Sequence, residues 1–397
     1  MSDLIDLRDK AAFVGVGVTP QVLSSKVRGQ PGWTGAELEI AAFKNAIEDA
    51  GLRKEQIDGL LTEAQGGFGA GQSEYLVLGQ ALGINPRYGG SMHFGGATAG
   101  VLVNHAARAV NAGMAKYVAI CYAAGSGGYA PGAAPPTDDA AGPDAIPWST
   151  WGALGPIMNA ATSASRHMAV YGTKSTQLGE VAVAFRHHAS MDPSAIMQKP
   201  ITIEDHQESR PIVAPLKLLD CCLVSLGGVC LIVTTKERAR DLQQPVVSIR
   251  GLGQGFTMQH MERDLWWYGI HQREAVWRAY EMAGVGPEDI QCCQLYDNFT
   301  FNVIMWLEHA GFCKPGEGGP FVEGGTLQLG NKLPTNTNGG QISHSHPEGF
   351  MVIAEGVQQM RGQCGPRNVP NLEVELVTGR GLTLNCASAM ILTKDNR

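Results

Sequence analysis

Hydrophobic positions along residues 11–61 change their period twice. AAFVGVGVTP (11–20) is a short apolar run without polar alternation, which predicts a strand covered on both faces. TGAELEIAAFKNAIEDAG (34–51) switches to helical spacing, with Ile40, Phe43, Ile47 and Ala50 on one face. Thr34 and Glu37 stand at capping-box spacing before it, and Gly51 stops it. LRKEQIDGLL (52–61) then leads into a second strand. Residues 245–296 repeat the plan as PVVSIRGLGQGF, HQREAVWRAYEMAG and VGPEDIQCCQLY. Ala50-Gly51 and Ala283-Gly284 are 233 positions apart, and Ile57 and Ile290 share that offset. The common order of strand, helix and strand identifies an internal duplication.

Each half continues with a glycine-rich turn and a helix of small residues. In the first half this is GGSMHFGGATAGVLVNHAARAVNAG, followed by the strand KYVAICYA. In the second it is NGGQISHSHPEGFMVIAEGVQQMRG, followed by LEVELVTG. Alternating strands and helices predict the α/β class, as a layered sandwich of two pseudo-symmetric halves. The N-terminal half spans 1–243 and the C-terminal half 244–397. Residues 125–215 form an inserted loop domain, with 131–147 as loop and ASRHMAVYGT and EVAVAFRHHASM as helices. CCLVSLGGVCLIVTT (221–235) reads as a glycine-broken pair of apolar strands.

Composition narrows the class. With 44% hydrophobic and 17% charged residues in 397, the chain has ample material for a core and is not disordered. The balance of 37 acidic and 30 basic residues, net −7, includes no basic run, which argues against nucleic acid. Apolar stretches are too short for a membrane span, and MSDLIDLRDK lacks the order of a signal peptide. Nine cysteines, never spaced C-x-x-C, indicate neither a disulfide framework nor zinc, so a reduced, cytoplasmic protein is expected. Many of the 51 glycines fall in pairs such as Gly95-Gly96 and Gly339-Gly340, where backbones approach closely.

Three motifs carry candidate chemistry. The turn His93-Phe94-Gly95-Gly96 opens the first small-residue helix, Tyr296-Asp297-Asn298-Phe299 follows the second strand of the repeat, and Asn338-Gly339-Gly340 precedes His344-Ser345-His346-Pro347. Together with RHMAVYGT, MDPSA and PIVAPLKLLDCC, these resemble the thiolase superfamily over essentially the whole chain, most closely its sterol-carrier-protein-type branch. The resemblance implies an αβαβα fold, acyl-CoA substrates and a homodimer with active sites beside the pseudo-twofold axis. Coenzyme A would enter only as part of the substrate, with no separate cofactor.

The departures from the family decide the chemistry. Thiolases place a nucleophilic cysteine at the position of His93, and no cysteine of this chain lies within 25 residues of it. A neutral His93 filling the lost thiol's space, at the rim of the substrate or oxyanion pocket, is the favoured expectation, because a helix N-terminus disfavours imidazolium. Tyr296 replaces a histidine of the branch's His-Asp-Cys-Phe motif, and Asp297 follows it into the same loop. His346 occupies the family's loop histidine, with Asn338, Gly339, Gly340 and His344 as substrate-binding or oxyanion residues. His344 and His346 at i, i+2 lack a third ligand cluster, so no metal is expected. Cys386 lies near the family's last catalytic cysteine as a candidate acid/base, although a buried structural thiol is the simpler reading.

A thiolase framework without its nucleophile suits retro-aldol cleavage of a β-hydroxyacyl-CoA. Tyr296 and His346 would move protons and polarise the thioester. A tyrosine in this motif resembles the thiolase-like aldolases that shorten steroid side chains, which carry a second tyrosine where this chain has His346. Those aldolases work with a small OB-fold partner that holds the CoA substrate. Asp264–Tyr268, Trp277 and Trp306 are either a surface for such a partner or core. Two alternatives stay open: a Claisen-type acyltransferase using Cys121 or Cys386, and a non-catalytic acyl-CoA-binding subunit.

Overall fold

Both copies of the repeat are built the same way, by a helix backbone lying directly on a glycine-floored strand. The computed structural model describes residues 7–27, 30–64, 69–125, 156–257, 269–381 and 386–395. In the first copy, helix α1 (Gly35–Ala50) packs on strand β1 (Ala11–Val18). A Cβ on Gly17 would lie 2.0 Å from the carbonyl oxygen of Ala42. In the second copy, helix α6 (Ile270–Ala283) packs on β6 (Val247–Phe256), and a Cβ on Gly253 would lie 1.8 Å from the oxygen of Ala275. Ala42 and Ala275 are separated by the repeat offset of 233. Gly51 and Gly284 end the two helices in the same left-handed conformation, at φ 67° and 69°.

The remaining strands are β2 (Gly59–Glu63), β3 (Tyr88–Met92), β4 (Tyr117–Ala124), β5 (Ser225–Thr235), β7 (Cys292–Gln294), β8 (Val374–Gly381) and β9 (Cys386–Lys394). The sheet order is β7-β8-β9-β6-β1-β5-β4-β2-β3. Strands from before residue 243 therefore lie on one side and later strands on the other. They meet where Ala11–Phe13 pairs antiparallel with Ile249–Val247. Helices α3 (Thr98–Asn111) and α8 (Phe350–Arg361) are almost wholly buried, touch each other and contact strands of both sides. Leu102, Val103 and Ala106 join Phe350, Ile353 and Val357 in one apolar cluster, which forms the central layer of the sandwich.

Several expectations need correction. The buried face of α1 is Leu38, Ala42, Phe43, Ala46 and Ala50, with Ile40 and Ile47 only half-buried at its flank. Close contact with strand glycines selects alanine for the centre and leaves larger residues at the edge. The strand pair expected at 221–235 is the single strand β5, whose Gly228 lies against the Leu38 carbonyl oxygen. Trp306 is fully buried, whereas Trp277 is 42% exposed and donates from Nε1 to the His309 carbonyl. The loop 131–147 and the segment Asp264–Tyr268 lie outside the described residues. The helices expected within 125–215 are α4 (Pro156–Tyr171) and α5 (Ser175–Ser190), and α5 packs on the turn Gly340–Ser343. No helix among the described residues is long and apolar enough to cross a membrane.

Candidate active site

Strand register creates the first half of the site. β2 and β3 run parallel with Glu63 opposite Met92, so the chain leaves β3 with His93 beside Glu63. His93 Nδ1 lies 3.0 Å from Glu63 Oε1. The glutamate is shut away, while the imidazole keeps 35% of its side-chain surface exposed. The following turn is tied into the start of α3. Thr98 Oγ1 accepts the Phe94 N–H at 2.8 Å and donates to the Gly95 carbonyl at 2.6 Å.

The second half comes from two loops of the C-terminal repeat. Tyr296 follows β7, and its backbone N–H donates to Thr378 Oγ1 of β8 at 3.0 Å. Its phenol lies on Gly96, where a Cβ would stand 1.9 Å from Cζ. The Tyr296 hydroxyl donates to Glu348 Oε2 at 2.9 Å and stands 3.4 Å from His346 Nε2. The His346 backbone N–H donates to Ser225 Oγ at 2.7 Å, and Gln341 Nε2 donates to the Glu348 carbonyl at 2.9 Å. Glu348 itself holds a left-handed backbone, φ 46°, which side-chain-bearing residues rarely adopt. Tyr296 and His346 thus meet as the sequence predicted, joined by a carboxylate it did not identify.

Environment separates the protonation states of these groups. Burial pushes the Tyr296 phenol well above its ordinary value, and the Glu348 carboxylate beside it adds to the rise. The resting phenol is therefore neutral and fit to relay a proton. Burial lowers His346, which favours its neutral form. His93 is moved the other way, upward, chiefly by its hydrogen bond to Glu63. Burial raises Glu63 in turn, to about 7. The imidazole expected to be neutral and space-filling thus has a carboxylate partner that favours a proton on the ring. The helix terminus that disfavours imidazolium is outweighed by a buried carboxylate at hydrogen-bond distance.

Other predicted site residues form the scaffold. Asp297 is fully buried and accepts the N–H groups of Gln341 at 2.9 Å and Ile342 at 3.4 Å, capping the turn Gly340–Ser343. Asn338 Oδ1 accepts the Gly340 N–H at 2.9 Å. Gly339 and Gly340 have φ 104° and 62°, and a Cβ on Gly340 would lie 2.1 Å from Asp297 Oδ2. His344 points away from His346, hydrogen-bonding Ser345 Oγ at 2.8 Å and Ser194 Oγ at 3.1 Å, and burial lowers it to about 4. The His344 carbonyl accepts the Ile196 N–H, so this stretch anchors the inserted region to the loop that carries His346.

Neither Cys121 nor Cys386 sits where a thiolate is favoured. Cys386 donates to the Phe94 carbonyl at 3.1 Å, and burial pushes it up to about 12. Cys121 is buried in the outer layer among Ala42, Phe43 and Ala46, 3.2 Å from Cys230 Sγ, and is raised well above its ordinary value. Burial disfavours a thiolate at either place, which argues against the acyltransferase reading through Cys121 or Cys386.

Sequence reasoning missed Glu63 and Glu348. Glu63 ends an apolar strand on a charge that is nonetheless buried, and Glu348 directly follows the quoted His346-Pro347.

Comparison with known proteins identifies the family. The family described as "Thiolase C-terminal domain-like" matches residues 253–394. The steroid side-chain-cleaving aldolase of Thermomonospora curvata is 39% identical over 93% of this chain and 95% of its own. The 17-hydroxy-3-oxo-4-pregnene-20-carboxyl-CoA lyase of Mycobacterium tuberculosis is 37% identical over 94% and 96%. A solved structure described as "Ltp2-ChsH2(DUF35) aldolase" superimposes with a TM-score of 0.88 at 34% identity, covering 99% of this chain and 100% of that one. An SCP2-thiolase-like protein of Mycobacterium smegmatis, 20% identical with a TM-score of 0.73 over 99% of this chain and 79% of its own, shares the fold.

Proposed function

We propose that this chain, which belongs to the family of thiolase-fold aldolases and lyases, cleaves the Cα–Cβ bond of a steroid side-chain β-hydroxyacyl-CoA by retro-aldol chemistry. The observation that carries the reading is the Tyr296–Glu348 hydrogen bond beside His346, in a fold whose nucleophile position holds His93. Such a site has a proton relay and no activated thiol, so it fits bond cleavage without an acyl-enzyme.

The steps follow from the contacts. The substrate's β-hydroxyl gives its proton to the Tyr296 oxygen as the phenol passes its own to Glu348. The Cα–Cβ electron pair then moves toward the thioester, leaving a ketone or aldehyde and an acyl-CoA enolate. Neutral His346 stands within reach of the relay and polarises the thioester carbonyl, where the enolate oxygen develops charge. Its low proton affinity suits a hydrogen-bond donor that is not itself consumed as an acid.

Two further parts belong to the proposal. The related structure's name pairs two components, which supports a small CoA-holding OB-fold partner for this chain. A cytoplasmic homodimer, as in thiolases, completes the reading.

The test is release of acetyl- or propionyl-CoA from a steroid side-chain β-hydroxyacyl-CoA, with and without a candidate partner. Tyr296→Phe is expected to lower turnover by roughly 10²–10⁴. Full activity in that variant would remove Tyr296 from the mechanism, and preference for a straight-chain substrate would overturn the steroid assignment.

A further inference from the structure

We propose that His93, held by Glu63, is the acid that returns a proton to the α-carbon of the acyl-CoA enolate. The inference rests on the retro-aldol reading above and assigns its second half.

Cleavage leaves a carbanion-like carbon that must be protonated before the acyl-CoA departs. Each candidate donor can be weighed from its contacts. Tyr296, left as a neutral phenol by the relay, stands at the β-oxygen that it has just deprotonated and is hydrogen-bonded to Glu348. Burial disfavours the proton-rich imidazolium form of His346. Cys386 is committed to the Phe94 carbonyl. His93 has the geometry that suits the task. Nδ1 lies 3.0 Å from Glu63 Oε1, the side chain is 35% exposed, and Nε2 is the ring nitrogen that this contact leaves over. His93 begins the same turn on which the Tyr296 phenol rests three residues later, so both groups belong to one site. Glu348 acts electrostatically on His93 and Glu63 alike, which sets all these groups in one electrostatic neighbourhood.

The arrangement divides labour between the halves of the chain. Tyr296, His346 and Glu348 take the hydroxyl proton, and Glu63 and His93 give one to carbon. The Glu63 carboxyl at hydrogen-bond distance favours a proton on the His93 imidazole relative to an isolated histidine. This pushes the base and the acid of one reaction apart in proton affinity. The step balances without a co-reactant: the His93 Nε2–H bond breaks as the Cα–H bond forms. The neutral imidazole takes a proton from solvent, and Glu348 returns one to it.

Hydrogen–deuterium exchange isolates this step, because enolate protonation in reverse is abstraction of the α-hydrogen of the product. The enzyme, with any partner that supports cleavage, is incubated with propionyl-CoA in D2O and α-deuteration is followed by mass spectrometry. His93→Gln keeps a side chain able to bond Glu63, and it is expected to lower exchange by about 10²-fold or more. Tyr296→Phe should lose cleavage while its exchange stays within about tenfold of wild type. Glu63→Gln tests the positioning role. Abstraction needs the neutral imidazole, so the wild-type exchange rate rises with pH through the raised pKa of His93, and removing the carboxylate should move that acidic limb to lower pH. Wild-type exchange in His93→Gln overturns the proposal, as does exchange that depends on Tyr296 and not on His93. A wild type that neither exchanges nor cleaves any β-hydroxyacyl-CoA would instead sink the retro-aldol reading itself. Circular dichroism of each variant separates these outcomes from misfolding.

Discussion

Gly96 and Tyr296 occupy a single space: a Cβ at position 96 would stand 1.9 Å from the phenol carbon Cζ and 2.1 Å from the hydroxyl oxygen. The first turn before the central helix α3 therefore sets where the proton relay sits. Gly96→Ala should fold, because the methyl meets a side chain at the pocket, but it must push the phenol off Glu348. Its kcat is expected to fall by roughly 10²–10⁴, as for loss of the hydroxyl. Adding Gly96→Ala to Tyr296→Phe should then cost little more, since both remove the same interaction. Independent, multiplicative losses would show that the two residues act separately.

Glu348→Gln keeps the volume and removes the acceptor of the Tyr296 proton. Turnover should fall by about 10²–10⁴, with KM changing far less, because the carboxylate serves the reaction and not the binding of CoA. A variant that raises KM and leaves kcat intact would assign Glu348 to substrate binding.

Asp297 acts through the loop it holds. Asp297→Ala leaves the Gln341 and Ile342 N–H groups without their acceptor, at roughly 1–3 kcal/mol per buried orphan. Thermal denaturation should show Tm falling by several degrees, with partial rescue by Asp297→Asn. The pH dependence has a definite sign. Burial raises Asp297 to about 7, so between about pH 4 and 7 the native state binds more protons than the unfolded chain. This group's contribution thus weakens as pH rises through that window. The Tm of Asp297→Asn relative to wild type should improve from pH 4 to 7; a constant difference would contradict the raised value.

Cys386→Ser and Cys121→Ser should keep cleavage activity within about tenfold, since neither thiol is positioned as a nucleophile. Intact-protein mass spectrometry during turnover should reveal no added acyl mass. A trapped acyl-enzyme lost in either variant would restore covalent catalysis.

The sequence made legible whatever depends on local or periodic pattern. The capping box of Thr34 and Glu37, the glycine ends at Gly51 and Gly284 and the 233-residue repeat all reappear in the structure. Tyr296 and His346 were found because motif positions carry over between related chains. Glu63 was not, because its partner lies 30 residues away and is delivered by the parallel register of β2 and β3. Periodicity alone cannot reveal which strands are neighbours. His344 was misplaced for a related reason. Alternate residues of an irregular loop can face opposite ways, and contacts with Ser345 and with Ser194 of the inserted region hold His344 turned from the site.

The left-handed backbone of Glu348 carries a consequence for anyone who engineers this enzyme. A side chain in that conformation costs about 1 kcal/mol that glycine would not incur. A library screened only for heat resistance should therefore enrich Glu348→Gly, and every clone carrying it would have lost the acceptor of the Tyr296 proton. Melting temperature and turnover are opposed at this one position, so a stability screen on this scaffold has to be run together with an activity assay.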